Sequence, residues 1–445
     1  MANTSLQSPT MANPATGLSK KGTWSFWVKR ADLGNSMLYH TYENSNNRSY
    51  IKFDSSDRIE VKELAGANTD LQLVTSRKFR DTNAWYHIVF AVDTTDATQA
   101  DRAKLYVNNE LITVFDTNTR NIPTNHSYHG LYGGIKQTIG NNTSPSSSEG
   151  FGGIMSYVAF IDGTQEAPTI FGETDATTGE WKIKTSITPS SAWGTNGYLI
   201  LKDGNSLTDQ SVNSNNFTLG NGTLTKTEDC PDNVFATLNS LDKNDVVVLG
   251  NGNTTSYSSN NGTWSAANRT TLGIASGKFY WEMKITGSGT ANGLFFGVCS
   301  DTVRLITNQG IQDSSTEKAK GVLVFCDDGQ YQLDTNSRTS MTSAPAFNDI
   351  LGCALDRDNN NVKFYKNGSQ VGSIDISSSP LATCSHIMPL MINFYTNTKF
   401  NFNFGNGYFG TTAVATQGNN ASGNGIFEHD VPTGYTALST KGLNL

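Results

Sequence analysis

The chain has 445 residues, of which 36% are hydrophobic and only 16% charged, so it is long enough for two or three domains that each bury a core. A net charge of -7, without any basic run of five residues, excludes the basic surface that nucleic acids require. No apolar stretch reaches the roughly eighteen residues of a membrane-spanning helix. Asn, Ser, Thr and Gly dominate the polar residues and suit turns, while the Phe and Tyr content suits strands. The composition therefore predicts an all-β fold.

The first half of the chain predicts a series of strands. Alternation is clearest at 23–29 and at 85–93. Asn108-Asn109 predicts a two-residue hairpin turn, because Asn tolerates positive φ. Further strands are predicted at 50–53, 58–64, 71–76, 104–110, 134–140, 151–162, 198–202 and 216–219, with a short helical turn at 169–173.

The second half repeats this pattern. A strand at 277–285 has one face formed by Phe279, Trp281, Met283 and Ile285, and an outward face formed by Tyr280, Glu282 and Lys284. Asn367-Gly368 is the strongest hairpin turn in the chain. Other strands are predicted at 294–299, 321–326, 350–355, 362–366 and 400–404.

A polar stretch at 223–232, which contains Pro231, predicts a domain boundary. We therefore expect two tandem antiparallel β-sandwiches, at 1–225 and 229–445. All five cysteines lie in the second half, with wide spacing and mostly apolar neighbours. This pattern predicts buried free thiols.

The first domain resembles the laminin-G/concanavalin A-like jelly roll. The resemblance is carried by Trp24-Ser25-Phe26-Trp27-Val28-Lys29, by Trp85-Tyr86-His87-Ile88-Val89, by Lys104-Leu105-Tyr106-Val107-Asn108, and by the stretch 153–163. The second domain resembles a SPRY (B30.2-like) domain. Here the matching residues are Gly277-Lys278-Phe279-Tyr280-Trp281-Glu282, Gly352-Cys353-Ala354-Leu355-Asp356, the stretch 362–368, and Phe402-Asn403-Phe404-Gly405.

The combination of the two domains is similar to tail-fibre-like and other virion proteins of marine bacteriophages. The resemblance rests also on Phe171-Gly172-Glu173, Gly179-Glu180-Trp181, and the stretches 203–217 and 231–242. It implies a virion surface protein that binds a host-envelope component, a polysaccharide in the first instance, during adsorption. A structural decoration or connector of the virion, with no host ligand, is the alternative. The implied partners are other virion proteins and a host cell-surface glycan or protein, and by analogy with fibres the chain forms a homo-oligomer such as a trimer.

The start of the chain bears on localisation. Residues 1–10 lack the basic and apolar segments of a signal peptide. We therefore expect synthesis in the host cytoplasm and release within the virus particle. The jelly roll begins almost at residue 1, without the long attachment domain common in tail fibres. This difference keeps head decoration or a capsid appendage open as the location.

The acidic residues and histidines predict a protein that is not an enzyme. Glycosidases of the jelly-roll class need two carboxylates about 5–10 Å apart, and the nearest pair, Glu60 and Glu63, occupies opposite faces of a strand expected to be exposed. The six histidines are scattered. His87 is interpreted as an outward-facing or hydrogen-bonded strand residue.

A loop and several aromatic residues are the candidate binding features. Asp203, Asn205 and Asp209 offer alternating oxygen ligands suited to Ca²⁺, or form an Asx-turn; no other cofactor is expected. Binding by a sandwich is expected on loops that the sheets hold in place. The candidate ligand-binding aromatic residues are Tyr128, His129 and Tyr132 in one loop, and Tyr257, Trp264 and Tyr331 in the second domain. The alternative for each is that it fills an edge of the core.

Overall fold

The computed structural model describes residues 4–12, 20–143, 149–176, 179–202, 204, 206–261, 266–288, 293–305, 317 and 320–444. The chain divides into two compact units, Met1–Lys226 (unit 1) and Thr227–Leu445 (unit 2). Each is an antiparallel β-sandwich, as predicted.

Unit 1 contains sixteen strands within the described residues. They are β1 Ser5–Gln7, β2 Lys21–Arg30, β3 Ser36–Asn44, β4 Asn47–Phe53, β5 Arg58–Ala65, β6 Asn68–Lys78, β7 Trp85–Asp93, β8 Ala103–Val107, β9 Glu110–Leu111, β10 Phe115–Arg120, β11 Gln137–Ile139, β12 Gly153–Asp162, β13 Gly172–Thr174, β14 Trp181–Ile183, β15 Tyr198–Ile200 and β16 Thr218–Asn221. Short 3₁₀ turns occupy Gln99–Arg102, His129–Leu131 and Pro168–Ile170.

Two sheets form the sandwich of unit 1. The eight-stranded sheet has the order β10-β6-β5-β4-β3-β11-β1-β16, and the six-stranded sheet has the order β15-β12-β2-β7-β8-β9. Period-two alternation gives each sheet one apolar face. Trp24 and Phe26 of β2 therefore meet Tyr39, Ile51 and Val61 of the other sheet in a single buried core.

The second face of the six-stranded sheet is covered as well. Val89, Ala159 and Ile161 pack there against Phe171 and Trp193. The strand at 85–93 alternates as predicted, yet both of its faces are buried. An outward side chain on β7 therefore does not reach solvent.

Unit 2 contains seventeen strands within the described residues, and a one-turn helix α1 at Thr440–Leu443. The strands are β17 Leu238–Lys243, β18 Val247–Gly250, β19 Thr255–Ser258, β20 Ala267–Thr270, β21 Lys278–Gly287, β22 Leu294–Ser300, β23 Gly321–Phe325, β24 Gln330–Leu333, β25 Thr339–Ser340, β26 Ile350–Asp356, β27 Asn361–Lys366, β28 Ser369–Asp375, β29 Ile387–Asn393, β30 Thr398–Asn403, β31 Tyr408–Phe409, β32 Thr412–Ala413 and β33 Thr436–Ala437. A 3₁₀ turn lies at Pro380–Ala382.

The sheets of unit 2 have the orders β17-β20-β29-β22-β23-β24-β25 and β18-β19-β30-β21-β26-β27-β28. Trp281 and Met283 of β21 and Phe400 and Phe402 of β30 fill the core between them. Glu282 of β21 does point away from this core, as predicted. It is nevertheless fully buried, because it contacts the C-terminal segment 404–444, which pairs with β21 in parallel through β33. The expected solvent-facing side of β21 is thus a second interface.

Both predicted hairpin turns are confirmed. Asn108 and Asn109 have φ of 49° and 68°, and Asn367 and Gly368 have φ of 49° and 80°. Of the five free cysteines, Cys299, Cys326 and Cys353 are buried as predicted, whereas Cys230 and Cys384 are only half-buried. Among the described residues, no helix has the length and hydropathy needed to cross a membrane.

Candidate ligand-binding surface

The predicted aromatic loop lies in the 121–132 segment of unit 1, which crosses the inner side of the eight-stranded sheet. Two hydrogen bonds to backbone carbonyls hold its first part: the Arg102 guanidinium donates to Ile122 (2.7 Å) and the Thr94 hydroxyl donates to His126 (2.6 Å). The Tyr39 hydroxyl then donates to the Gly130 carbonyl (3.1 Å). The sheet therefore fixes where the loop side chains point.

Tyr128 belongs to the core and not to the binding surface predicted for it. Its ring is 1% exposed and packs 6.0 Å from the rings of Trp24 and Phe90. Its hydroxyl lies 2.9 Å from Ser49 Oγ. Burial raises the pKa of Tyr128 well above its usual range. A ligand cannot reach this ring in the folded loop.

A buried carboxylate lies beneath the same loop. Glu63 of β5 is 0% exposed, and its Oε1 accepts the backbone N–H of His129 (2.6 Å) and lies 3.2 Å from His126 Nε2. His126 Nε2 is also 3.5 Å from Asp70 Oδ2. Glu60 of the same strand faces the opposite side, as predicted, but both glutamates are buried. The expectation of an exposed strand is therefore wrong.

Burial and pairing shift the protonation of this cluster. Desolvation raises the pKa of Glu63 and of Asp70, and the contact with His126 counteracts both shifts. The hydrogen bond to Glu63 is the main cause of the raised pKa of His126. Glu63 Oε2 has no hydrogen-bond partner among the described residues. The cluster therefore holds protons more tightly than the free side chains would.

His129 and Tyr132 lie together at the rim of the loop. Their rings are 4.6 Å apart in an edge-to-face arrangement. His129 is buried and burial lowers its pKa to about 4, so its ring is neutral. Tyr132 is half-buried, and its pKa is raised first by desolvation and then by the carboxylates of Glu63, Glu43 and Asp70. Of the predicted trio, Tyr132 is the ring that a ligand can reach.

A second group of polar and aromatic side chains, which the sequence analysis missed, lies on the outer face of β3, β4 and β5. We call it the outer-face row, and it consists of His40, Tyr42, Tyr50, Lys52 and Glu60. His40 lies between the other two rings, 5.7 Å from Tyr42 and 6.4 Å from Tyr50. Tyr42 is 42% exposed. It precedes Glu43, whose charge acts on Tyr132.

The outer-face row is held by its own hydrogen bonds. The Tyr50 hydroxyl and the Gln72 amide both donate to Glu60 Oε1, at 3.2 and 2.7 Å. Lys52 Nζ lies 5.4 Å from the Tyr50 ring and 3.2 Å from Glu149 Oε1. Burial lowers the pKa of His40 to about 3, which keeps it neutral. This pre-ordered set offers donors, acceptors and an exposed ring at one place.

Of the candidate aromatic residues of unit 2, the two that the structure describes lie in different sheets. Tyr257 is half-buried on β19, with Lys399 Nζ 5.2 Å from its ring. Tyr331 is half-buried on β24 in the other sheet and packs against the core. Trp264 lies outside the described residues.

The predicted calcium loop is described only in part, because Asp203 and Asn205 lie outside the described residues. Asp209 is buried. Its Oδ1 accepts the backbone N–H groups of Leu199 and Ser211, and its Oδ2 accepts the Asn215 N–H and the Ser211 hydroxyl. These bonds give Asp209 the Asx-turn role that was the alternative to calcium. Among the described residues, no group of three His, Cys, Asp or Glu is arranged to hold a metal ion.

A serine and a histidine meet in unit 1 without forming a reactive pair. Ser25 Oγ lies 2.8 Å from His87 Nε2. The Trp181 indole N–H donates to His87 Nδ1 (3.0 Å), so the third group is a donor where a general base needs an acidic acceptor. Both Ser25 and His87 are 0% exposed, and burial lowers the pKa of His87 to about 3. The pair packs the sheet, as predicted for a hydrogen-bonded strand histidine.

Family comparisons identify both domains. Residues 3–171 match the concanavalin A-like lectin/glucanases superfamily, and residues 278–407 match the SPRY domain. The chain thus contains a concanavalin A-like domain followed by a SPRY domain. Both are domains of a binding type, which is consistent with a binding role for the chain.

Solved structures with similar parts include the SPRY domain of human HERC1, with 16% identity, a TM-score of 0.30, and coverage of 37% of this chain and 96% of that chain. Stonustoxin is 19% identical with a TM-score of 0.30, and the match covers 38% of this chain and 27% of stonustoxin. The heptameric SAP-like pentraxin from Limulus polyphemus is 14% identical with a TM-score of 0.28, over 37% of this chain and 72% of that one. No curated protein matches the chain.

Proposed function

We propose that this protein is a surface component of a bacteriophage particle that binds a host-envelope polysaccharide during adsorption. The binding assignment rests on two accessible rings of a concanavalin A-like domain, Tyr42 on the outer face of the eight-stranded sheet and Tyr132 at the rim of the 121–132 segment. Tyrosine rings offer a rigid apolar face. Carboxylate and amide groups accept and donate the hydrogen bonds that sugar hydroxyls need.

The virion assignment comes from the order of the two domains and the residues between them. Both domain matches are of binding type, which supports a role in recognition. In this proposal the chain forms a homo-oligomer and contacts other virion proteins. Several copies then bind one polysaccharide at once, so that a weak single site gives firm attachment.

The test is the binding of the full-length chain to immobilised envelope polysaccharide from candidate host cells, measured by biolayer interferometry. We expect Tyr42→Ala and Tyr132→Ala each to weaken binding about tenfold, which corresponds to about 1.4 kcal/mol. Leu111→Ala is the matched control, because Leu111 lies in the same unit and is 43% exposed, close to the 42% of Tyr42. Tyr257→Ala reports on unit 2.

Three results contradict the proposal in different ways. Equal binding by wild type and both tyrosine variants would exclude Tyr42 and Tyr132 as the binding rings, and a loss confined to Tyr257→Ala would move the site to unit 2. Absence of binding to every host polysaccharide by the folded protein would reject adsorption.

A further inference from the structure

We propose that Glu63, His126 and Asp70 form a proton-dependent clasp, which fixes the 126–132 segment and Tyr132 more firmly at acid pH than at alkaline pH. This inference deepens the proposed function and rests on it, because Tyr132 is one of the two rings assigned to the ligand. The clasp itself is a structural property that can be measured without any ligand.

The geometry places one imidazole between two carboxylates. His126 Nε2 lies 3.2 Å from Glu63 Oε1 and 3.5 Å from Asp70 Oδ2. A protonated His126 therefore places a positive charge beside both carboxylates, whereas a neutral His126 offers its Nε2–H to them without that charge. The side chain of His126 is 14% exposed, so a proton can enter from solvent.

Glu63 links the protonation of His126 to the position of the 126–132 segment. Its Oε1 also accepts the His129 N–H at 2.6 Å, so the same oxygen holds the imidazole and the backbone that leads to Tyr132. When His126 loses its positive charge, an ionised Glu63 is a fully buried anion without a cation beside it, and its Oε2 has no hydrogen-bond partner among the described residues. If the segment loosens, water reaches the Glu63 carboxylate, and hydration lowers the free energy of its charge.

The other titratable groups around Glu63 do not replace His126. The charge of Glu63 also acts on the hydroxyls of Tyr39, Tyr128 and Tyr132, whose pKa values are all raised. These phenols stay neutral through the physiological range. Asp70 adds a second negative charge. The proton on His126 is thus the compensating positive charge among the groups that act on Glu63.

The rest of the segment supplies anchors that do not titrate. Tyr128 is buried in the core, and Thr94 and Arg102 bind backbone carbonyls of the first part of the segment. A change of pH is therefore expected to loosen the His129 amide and Tyr132 without unfolding unit 1. The effect should be local.

Two measurements on the full-length protein test the clasp. Nuclear magnetic resonance of ¹³Cε1-histidine follows the six histidines from pH 5 to pH 9, with His126→Gln assigning the His126 signal. Hydrogen exchange of the 121–132 peptide, corrected for the intrinsic pH dependence, reports protection at pH 6 and pH 8. We expect His126 to titrate above its ordinary value, and protection to be about tenfold greater at pH 6 than at pH 8 in the wild type.

Variants separate the clasp from general effects. His126→Gln should make the ratio of protection at the two pH values close to one. Asp70→Asn keeps the Glu63–His126 contact, so its ratio of protection at pH 6 to protection at pH 8 should be intermediate. This variant takes the place of His126→Gln if His126→Gln does not fold. His386→Gln is the matched control, because His386 Nδ1 lies 3.5 Å from Asp301 Oδ2 on the surface of unit 2; it should keep the wild-type ratio.

The outcomes distinguish this inference from the proposed function. A ratio that is the same in wild type and His126→Gln, or a His126 that titrates like a free histidine, would overturn the clasp. A pH-dependent ratio in a protein that binds no host polysaccharide would support the clasp and reject the proposed function. If the protein binds polysaccharide through Tyr132 but the protection of the 121–132 peptide is the same at pH 6 and pH 8, the clasp is overturned and the proposed function stands.

Discussion

Among the described residues, each of the two units contains one glutamate that is 0% exposed, and the two units compensate its charge in different ways. Glu63 in unit 1 is next to a histidine and receives one backbone N–H. Glu282 in unit 2 receives the N–H groups of two successive residues, His429 at 2.8 Å and Glu428 at 2.9 Å, and the hydroxyl of Tyr280 at 3.2 Å. Burial raises the pKa of both carboxyls, for Glu282 to about 7.

The difference lies in whether the compensating group can change its charge. Backbone N–H groups are fixed dipoles, so Glu282 holds the C-terminal segment through bonds whose donors do not titrate near neutral pH. His126 gains or loses a proton in that range. A buried acid with fixed donors depends on pH only through its own titration, while a buried acid paired with histidine has a second titrating group beside it.

Of the variants that test this comparison, Glu282→Ala should cause the largest loss of stability, in unit 2. The substitution leaves two partly buried N–H groups without an acceptor, at about 1–2 kcal/mol each because water reaches them in part, so unit 2 should lose about 2–4 kcal/mol of stability. Hydrogen exchange of unit 2 peptides across a urea series measures this loss. Glu428→Ala is the control, because its side chain accepts only the Ala415 N–H in an exposed position. Equal losses in the two variants would show that the C-terminal segment does not depend on Glu282.

The pH dependence of Glu282 gives the second prediction. Its pKa is raised from 4.5 to about 7, so the folded state binds the proton more tightly than the unfolded chain. The stability from this group is therefore complete below about pH 4.5 and falls as the pH rises to about 7. Across this window the advantage of the wild type over Glu282→Gln should shrink by at most about 3 kcal/mol. Parallel stability curves for the two proteins would contradict the shift.

Alternation in the sequence predicted the direction of side chains well, but it did not predict what covers them. Glu282 and Tyr280 point outward from the core, yet the C-terminal segment covers them. His87 likewise meets Trp181, which lies ninety-four residues away in the chain. A period-two pattern predicts which face of a strand each side chain lies on. Which other segment packs on that face depends on contacts between residues far apart in the chain, and no local pattern contains this information.

Two central strands were missed for separate reasons. Ser36–Asn44 mixes apolar, polar and aromatic residues and lacks a clear alternation. Because this strand was not predicted, there was no basis for placing His40 and Tyr42 on the same face of a sheet. The outer-face row was therefore not recognised. Ile387–Asn393 contains Pro389, which normally argues against a central strand. Pro389 is tolerated because β20 pairs with β29 only as far as Leu390.

The aromatic loop was identified in the sequence, but its orientation was not. Tyr128 and Tyr132 flank a 3₁₀ turn at His129–Leu131. The chain enters this turn with Tyr128 in the core and leaves it with Tyr132 at the rim. Glu63 follows Lys62 in the sequence and carries no local sign of burial, and its half-buried partner His126 was not predictable because the two are far apart in the chain.

The third prediction concerns Glu63→Gln in unit 1. We expect this variant to change the free energy of unfolding less than Glu282→Ala does in unit 2. The pKa values of Glu63, Asp70 and His126 are all raised in the folded state, so unit 1 loses stability as the pH rises through the folded-state pKa values of these groups. The variant removes the shift of Glu63 and the main cause of the shift of His126. Its stability curve should be flatter, and at pH 8 it should be about 1 kcal/mol more stable than the wild type. Urea unfolding followed by exchange of unit 1 peptides tests this, and a less stable variant at pH 8 would contradict it.

The smallest expected effect belongs to a histidine–aspartate pair with the same distance and less burial. His386 Nδ1 and Asp301 Oδ2 are 3.5 Å apart, like His126 and Asp70, but His386 is 49% exposed and Asp301 30% exposed. Water already solvates both groups, so their attraction is weak. His386→Gln should therefore change the stability of unit 2 by less than about 0.5 kcal/mol at any pH between 5 and 9. A pH-dependent loss comparable to that of His126→Gln would show that distance alone, and not the buried anion of Glu63, determines how strongly a histidine controls its surroundings.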